Sequence, residues 1–302
     1  MRLPLLTLLA FALTRLALPD CAAAQDSASA VQAPAPSDAE REALLGRVIA
    51  NQKKNELAML VYERVERLES RKGALTTPPE VKITRAVPAG TGTTRLPVGP
   101  DGKPVDAAAY RSALEKLEKS LIWAAEDGRD QREAYDKVNK KQKERADLID
   151  ATRSAFIFTF LSREMRADRV LAKYRMEPNP NYKATSRATS IFAKVRGFVW
   201  IDEAAAQLAR AEVEVTDDIS IGGFLAKVYK GSHLMQERYE MAPGLWFASY
   251  SQYDFDGRRL FVSFAIHERT FYTQYRFVGP PKEALLTVRA ELGKLREAAA
   301  DP

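Results

Sequence analysis

The stretch Val195–Asp202 reads VRGFVWID and sets the pattern for the C-terminal half of the chain. Valine, phenylalanine, tryptophan and isoleucine favour a pleated strand, and Phe198 to Ile201 are apolar at successive positions rather than at alternate ones. A strand of this kind needs cover on both faces of its sheet. The second cover is either a packed helix or a bound apolar ligand, and the sequence leaves both open.

Similar segments lie on both sides of this stretch and alternate with turn residues. The turn signals are Pro178-Asn179-Pro180-Asn181, Gly222-Gly223, Pro243-Gly244 and Asp256-Gly257. Consecutive strands joined by short turns favour an antiparallel meander over a parallel sheet. The predicted strands are Leu57–Ser70, Glu80–Val87, Thr93–Val98, Ala155–Ser162, Arg169–Met176, Ala193–Asp202, Gln207–Asp217, Phe224–Tyr229, Leu234–Met241, Leu245–Asp254, Arg259–Glu268 and Thr270–Val278.

Both ends of the folded region carry helical spacing. Ser37 and Glu40 form an S-x-x-E capping box, which predicts a helix over Asp38–Gln52. Pro280-Pro281 opens a last helix. The apolar residues along one face of that helix are Leu285, Val288, Leu292 and Leu295.

A third helical region separates the two groups of strands. Its apolar residues recur at steps of four and three, which is typical of a heptad seam. These residues are Tyr110, Leu114, Leu117, Leu121 and Ala124. We expect a helical hairpin at about 105–153, bent at Asp127-Gly128, whose two arms bury the seam against each other.

The second arm of this hairpin carries a basic run. Its members are Lys137, Lys140, Lys141, Lys143 and Arg145. Such a run is either a solvated helix face or a docking surface for anionic headgroups or an acidic partner. The pattern does not distinguish the two.

The first residues form a candidate export signal. Met1-Arg2 precede an apolar run over Leu3–Leu13, and Ala22-Ala23-Ala24 supplies a cleavage site. The run is shorter than the roughly 20 apolar residues of a membrane-spanning helix. We expect residues 1–24 to be a cleaved signal peptide, 25–36 a flexible linker and 37–302 a single domain in the periplasm.

Cys21 offers a second interpretation of the same region. A lipid on Cys21 would attach the protein to the outer membrane, although Pro19-Asp20 fits poorly before a lipidated cysteine. Cleavage after Ala24 removes this cysteine, the only one in the chain. The mature protein would then have no disulfide and no thiolate.

Composition excludes several classes of protein. The chain has 302 residues, 46% of them hydrophobic, and a formal net charge of +6, as expected of an ordinary globular protein. This mild surplus does not suggest a nucleic-acid partner. The two histidines, His233 and His267, lack the spacing of a zinc site, and no G-x-S-x-G or P-loop motif is present.

We therefore expect no metal, no cofactor and no enzymatic activity. A carboxylate pair or a Ser/Lys dyad that forms only in three dimensions stays open, and an envelope hydrolase is the third-ranked interpretation.

Several elements of the strand region resemble one known family. VRGFVWID at Val195–Asp202 is followed by RAEVE at Arg210–Glu214, by ISIGGFLAK at Ile219–Lys227 and by Lys230-Gly231-Ser232. Together with Trp246 and Tyr275-Arg276-Phe277, they resemble the outer-membrane lipoprotein carrier family (LolA/LolB-like), in particular an exported bacterial branch.

This resemblance implies an α+β fold. The expected sheet is strongly curved and antiparallel, an incomplete barrel with helices across its open side and the helical hairpin as an insertion. The concave face would bind a lipid or the acyl chains of a lipoprotein. The candidate cavity residues are Phe158, Phe160, Phe198, Trp200, Val213, Val215, Phe224, Met235, Tyr239, Trp246, Tyr250, Val262 and Phe264.

The resulting functional hypothesis is periplasmic binding or carriage of a lipid or a lipoprotein acyl chain. The alternative is a non-enzymatic adaptor or scaffold of the cell envelope, with a filled core and an envelope protein partner on its helical hairpin. A large apolar cavity favours the first, and a core packed solid by helices favours the second.

Overall fold

A single antiparallel sheet organises the molecule. The computed structural model describes residues 29–30, 34–73, 76–166, 168–221 and 225–300. The strands of this part are β1 (Ser29–Ala30), β2 (Tyr62–Lys72), β3 (Glu80–Pro88), β4 (Thr93–Pro97), β5 (Phe156–Arg166), β6 (Arg169–Pro178), β7 (Val195–Asp202), β8 (Gln207–Val215), β9 (Ile219–Ile221), β10 (Ala226–Val228), β11 (His233–Ala242), β12 (Leu245–Arg259) and β13 (Val262–Phe277).

Four α-helices accompany these strands in the described residues. They are α1 (Asp38–Ala58), α2 (Ala107–Ala125), α3 (Arg129–Ala155) and α4 (Pro281–Ala300). Short 3-10 helices cover Met59–Val61 and Thr189–Lys194. The capping box of α1 is present, since Ser37 Oγ accepts from Glu40 N and Glu40 Oε2 accepts from Ser37 N.

The strand order confirms the predicted meander. From one edge to the other it runs β1-β5-β6-β7-β8-β11-β12-β13-β2-β3-β4, and β10 pairs with β12 and with β9. Every pair is antiparallel. Strands β1 and β4 do not pair with each other, so the sheet is not closed. The predicted α+β class is confirmed.

One ion pair shows how strongly the sheet is bent. Arg166 of β5 contacts Glu237 of β11 at 3.3 Å, although these strands are four positions apart in the sheet. In a flat sheet, the spacing of about 4.8 Å per strand would hold them about 19 Å apart. Extended arginine and glutamate side chains cannot span that distance, so the sheet must twist and bend.

Helices α1 and α3 cover one face of the sheet at its β5–β8 end. Leu44, Leu45 and Val48 of α1 pack with Ala155 of α3 and with strand residues that include Val199. Ion pairs between the helices join Lys53 to Asp150 at 2.7 Å, Arg145 to Glu56 at 2.6 Å and Arg153 to Glu42 at 3.0 Å.

Helices α2 and α4 cover the opposite face at the β2–β4 end. The pairing register places Trp200, Arg210, Glu237, Tyr250, Phe271 and Arg67 in one row across six strands. Val65 lies two residues from Arg67 and therefore on the same face as that row, whereas Val199 lies on the other. Val65 packs with α2 and α4, and Val199 packs with α1.

The predicted helical hairpin therefore needs a correction. Its two helices exist, but the seam of α2 does not pack on α3. The seam residues Tyr110, Leu114, Leu117 and Leu121 share a core with Ala284, Val288 and Leu292 of α4 and with Val87 and Leu96 of the sheet. A heptad seam specifies one apolar face of a helix and leaves its partner open. Region 105–153 is thus built into the main cores of the molecule.

Some predicted boundaries were also wrong. Helix α1 continues to Ala58, so β2 begins at Tyr62 instead of Leu57. The two segments predicted at Arg259–Glu268 and Thr270–Val278 form one strand, β13.

The predicted turn at Asp256-Gly257 lies inside β12. Gly257 serves a close approach instead. A Cβ atom added there would lie 2.2 Å from Lys227 O of β10 and 2.7 Å from Phe264 Cζ.

Two predictions on the N-terminal region lie outside the described residues. They are the signal peptide over 1–24, with the alternative of a lipid on Cys21, and most of the linker over 25–36. Among the helices of the described part, none is long and apolar enough to span a membrane.

The shared core of α2 and α4 yields a test of the corrected packing. Leu117→Ala should lower the free energy of unfolding by about 2–5 kcal/mol, because it leaves a cavity between α2, α4 and the sheet. Val138→Ala, on α3, should cost about 1 kcal/mol or less. Chemical denaturation of both variants measures the difference. Equal costs would favour a seam buried between the two arms of a hairpin.

Candidate ligand-binding face

Helix α1 is attached to the sheet by two different kinds of contact. Its first half contributes Leu44, Leu45 and Val48, which pack in a core with Tyr174 and Met176 of β6. These side chains are at most 9% exposed. The apolar side chains that hold α1 on the sheet lie in this half.

The second half of α1 is held by hydrogen bonds. Asn51 Nδ2 donates to Ala206 O at 2.9 Å, and Gln52 Oε1 accepts from Arg238 Nη1 at 2.5 Å. Asn55 donates to Gln207 Oε1 at 2.9 Å and accepts from the backbone N–H of Trp246 at 3.2 Å. Because Gln52 and Asn55 are buried, each of these bonds fixes the helix end in one position.

A strip of buried polar side chains lies next to this helix end. Gln236, Ser251 and Thr270 are direct cross-strand partners on β11, β12 and β13, and Tyr272 follows two residues after Thr270 on the same face. We call these four residues the polar strip. All four are buried, and Gln236 lies two residues from Arg238, which donates to α1.

The polar strip has more hydrogen-bonding groups than partners. Gln236 Oε1 accepts from Arg238 Nε at 2.8 Å. Gln236 Nε2, Ser251 Oγ, Thr270 Oγ1 and Tyr272 Oη have no hydrogen-bond partner among the described residues. A buried polar group without a partner costs about 1–3 kcal/mol. Burial also raises the pKa of Tyr272 well above its usual value of 10.0, so this phenol stays a donor.

Buried charges flank the polar strip. Arg64 and Glu66 of β2 form an ion pair at 2.8 Å, and the Arg64 guanidinium lies 5.8 Å from the centre of the Tyr272 ring. Arg238 faces Glu56 of α1 at 3.7 Å. Burial lowers the pKa of Arg238, and the carboxylate of Glu56 partly opposes this effect. The region therefore combines arginine, amide and hydroxyl donors, which suit an anionic or strongly polar group.

The predicted cavity residues do not line one common cavity. Four of them belong to the core beneath α1, where Val215 is buried and the other three are partly buried. They are Phe158, Phe160, Val213 and Val215. Phe264 lies with Val213 against a small cluster of Leu234, Tyr253 and Phe255.

Phe198, Trp200 and Trp246 form a separate group. They pack with Leu171 and Ala209, and Trp200 lies on the face opposite to Val199. Charged side chains surround the Trp200 ring. Its Nε1 donates to Glu164 at 2.9 Å, while Lys173 Nζ and the Arg210 guanidinium lie 4.7 and 5.2 Å from the ring centre. This is a packed polar environment and not an apolar wall.

The remaining predicted residues are scattered. The rings of Tyr250 and Phe271 contact each other at 4.6 Å between their centres with a tilt of 60°, and Met235 is partly buried. Tyr239 and Val262 are exposed, so neither lines an interior. Phe224 lies outside the described residues.

The residues of the predicted basic run have two different environments. Arg145 is held by Glu56 of α1, which gives it a structural role in the α1–α3 contact. Lys137, Lys140, Lys141 and Lys143 are exposed. None of these four lysines forms an ion pair with another described residue, so they form a solvated face.

The surface clefts of the described residues include the following two. One, of about 360 Å³, is lined by Pro34, Ala35, Pro36, Glu40, Leu44, Arg47, Arg163 and Glu203. The other, of about 410 Å³, is lined by Ala89, Thr91, Gly92, Thr93, Thr94, Lys119, Ser120 and Trp123. None of the predicted cavity residues lines either cleft. The described residues also contain no group of three or more His, Cys, Asp or Glu side chains placed to hold a metal.

The sequence analysis did not predict the polar strip. Its residues are polar positions inside strands that were read as aromatic and apolar, such as Ser251 in ASYSQYD. Strand alternation places Gln236 and Arg238 on one face, which was the available signal. The cross-strand alignment of Gln236, Ser251 and Thr270 depends on the register and was not visible.

Comparison with known proteins gives one similarity. The fold search finds a domain from Vibrio parahaemolyticus described as an outer membrane lipoprotein-sorting protein domain, with 11% identity and a TM-score of 0.32. The match covers 77% of this chain and 93% of that domain. No family model and no curated protein matches the chain.

The unpaired hydroxyl of Thr270 can be tested by an isosteric substitution. Thr270→Val should raise the free energy of unfolding by about 1 kcal/mol, because it removes a buried hydroxyl that has no partner.

Thr189→Val is the matched control. Thr189 is also buried, but its Oγ1 accepts from Thr185 N at 3.1 Å and from Ser186 N at 3.0 Å, so this variant should lose about 1–3 kcal/mol. Thermal and urea denaturation compare the two variants. Similar losses in both would show that Thr270 Oγ1 is hydrogen-bonded in solution.

Proposed function

We propose that this protein binds a lipid or the acyl chain of a lipoprotein between helix α1 and the sheet, as a non-enzymatic protein of the bacterial cell envelope. The structure is then the closed form of the binding site. Opening begins where the second half of α1 leaves the sheet and exposes the polar strip, and it continues as the acyl chain replaces the first half of α1 on the adjoining core. No cofactor takes part.

The two-part attachment of α1 carries this proposal. The first half of α1 is held by apolar packing and the second half by hydrogen bonds. The helix can therefore separate from the sheet in two steps and act as a cover. The surface next to the hydrogen-bonded end holds unpaired donors, so separation there exposes groups that a polar ligand head satisfies. An ordinary structural core would pair or omit such groups.

Simple energies show that an acyl chain can compete with α1. Burying the three side chains Leu44, Leu45 and Val48 contributes about 1.5–3 kcal/mol each. An acyl chain of about 14 carbons contributes roughly 0.8 kcal/mol per buried methylene, or on the order of 10 kcal/mol. The chain therefore matches or exceeds the apolar contact of α1, and the polar strip provides additional hydrogen bonds to the head.

Asn55→Ala tests the proposal through the hydrogen-bonded end of α1. The variant loses the bonds to Gln207 and to Trp246 N, so the closed form should lose about 1–3 kcal/mol. The affinity for a fluorescent fatty acid should then rise about fivefold or more, because less free energy is spent on opening. Titration of the probe followed by displacement with an unlabelled lipid gives the dissociation constants.

Lys53→Ala is the matched control on the same helix. It removes only an ion pair with Asp150 whose two side chains are 36% and 51% exposed, so the affinity should change little. Failure of both the unaltered protein and Asn55→Ala to bind the probe would contradict lipid binding.

A scaffold with a filled core is the second candidate. The packing of α1 directly on the sheet favours it, as does the position of both clefts away from the predicted cavity residues. In that case a partner protein would meet the exposed lysines of α3. Probe titration separates the two candidates, since a scaffold binds no fatty acid in either variant.

A further inference from the structure

The turn between β12 and β13 exposes apolar side chains. Arg259 and Val262 are the last paired residues, so Leu260 and Phe261 form a two-residue turn. Phe261 is 96% exposed and Val262 is 72% exposed. Leu225 is also exposed. It lies beside these residues, since its carbonyl oxygen accepts a hydrogen bond from Leu260 N at 2.8 Å. We call Leu225, Leu260, Phe261 and Val262 the apolar tip.

The backbone conformation at Leu260, in the apolar tip, favours glycine or asparagine over leucine. Leu260 has φ of 53°, in the left-handed region that glycine and asparagine adopt readily in two-residue hairpin turns. A leucine there is strained. Leu260 is 44% exposed, so nearly half of its surface makes no packing contact that would offset this strain, which points to a role outside the folded core.

Strand pairing next to the apolar tip supports it. β10 pairs with the end of β12, with Ala226 opposite Arg259 and Val228 opposite Gly257. The absence of a side chain at Gly257 permits this approach, since a Cβ would clash with Lys227 O. Three strands therefore support the tip, and exposing it to solvent or to another surface requires no unfolding.

Positive charge lies directly behind the apolar tip. Arg258 and Arg259 are exposed, and neither has an ion pair with another described residue. Lys227, opposite Arg258, is paired with Asp218 at 2.7 Å. One exposed carboxylate, Asp256, lies further down β12. Arginine next to exposed aromatic and aliphatic side chains matches a surface that is apolar inside and negatively charged outside.

We infer that the β12–β13 turn docks this protein on an anionic lipid bilayer. Phe261, Leu260 and Val262 enter the boundary between headgroups and acyl chains, and Arg258 and Arg259 pair with lipid phosphates. A protein partner would bury the apolar side chains equally well, but the two unpaired arginines immediately behind them favour the bilayer. This inference does not depend on a ligand beneath α1.

Vesicle sedimentation tests the docking. The full chain should bind phosphatidylcholine vesicles that contain phosphatidylglycerol and bind pure phosphatidylcholine more weakly. Phe261→Ser should weaken the partition coefficient by about tenfold or more, because one fully exposed aromatic ring no longer enters the bilayer. Arg258→Gln with Arg259→Gln should weaken it by about fivefold per charge and remove most of the salt dependence.

Two control variants make the result specific. Leu286→Ser alters an apolar residue of α4 that is 67% exposed, and it should leave vesicle binding unchanged. Lys140→Gln with Lys141→Gln removes two charges from the exposed face of α3 and should have a small effect. All four variants change exposed residues, so circular dichroism should show unaltered folding.

Three outcomes would overturn the inference. They are no binding of the unaltered protein to anionic vesicles, equal losses in Phe261→Ser and Leu286→Ser, or a larger loss in the lysine variant than in the arginine variant. The last would identify α3 as the docking surface. Fatty-acid binding is measured without vesicles, so failure of the docking and failure of the proposed lipid site are distinguished.

Discussion

The contact between α1 and the sheet controls access to one face of this molecule. Leu44, Leu45 and Val48 fix the first half of the helix by apolar packing, whereas Asn51, Gln52 and Asn55 fix the second half by hydrogen bonds. Apolar packing tolerates sliding and repacking, but buried hydrogen bonds are made or broken as units. The second half of α1 is therefore the place where a small change in free energy opens the structure.

The arrangement of the other helices leaves α1 free for this role. α2 and α4 form a core with β3 and β4 on the opposite face, and Arg85 links that core together through Glu63 at 2.8 Å and Glu291 at 2.8 Å. Because those helices stabilise the β2–β4 end independently of α1, movement of α1 does not remove the main support of the sheet. Two of the ion pairs between α1 and α3, Lys53–Asp150 and Arg153–Glu42, are exposed and contribute little by themselves, whereas the partly buried pair of Arg145 and Glu56 adds to the contacts that hold the second half of α1.

Sequence patterns predicted the elements and the antiparallel meander well, but they did not predict which surface each helix covers. The capping box at Ser37 and Glu40 located the start of α1, and the turn residues located most strands, because these signals act within a few residues. The partner of the α2 seam was not predictable, since periodicity defines an apolar face without saying what covers it. Gly257 was taken for a turn because a glycine required by a neighbouring strand looks identical in sequence.

The candidate site was harder still to derive from sequence. Phe198 and Trp200 fall on the opposite face from Val199, and shifts of register between Trp200 and Ile201 and between Glu237 and Arg238 reset which residues face the same way. Side-chain direction along β7, β11 and β12 therefore depends on bulges that leave no clear trace in composition. The aromatic residues of this region were recognised as important, but their division between two cores was not.

Hydrogen exchange of the α1 amides, measured by mass spectrometry with and without added lipid, tests the role of α1 most directly. If α1 is a cover, the amides of residues 51–58 exchange well before those of β11–β13, and bound lipid changes the exchange of α1 and of the strand segments that carry Gln236, Ser251 and Thr270. Exchange of α1 only together with global unfolding, and unchanged by lipid, would contradict a movable helix and leave a solid structural core.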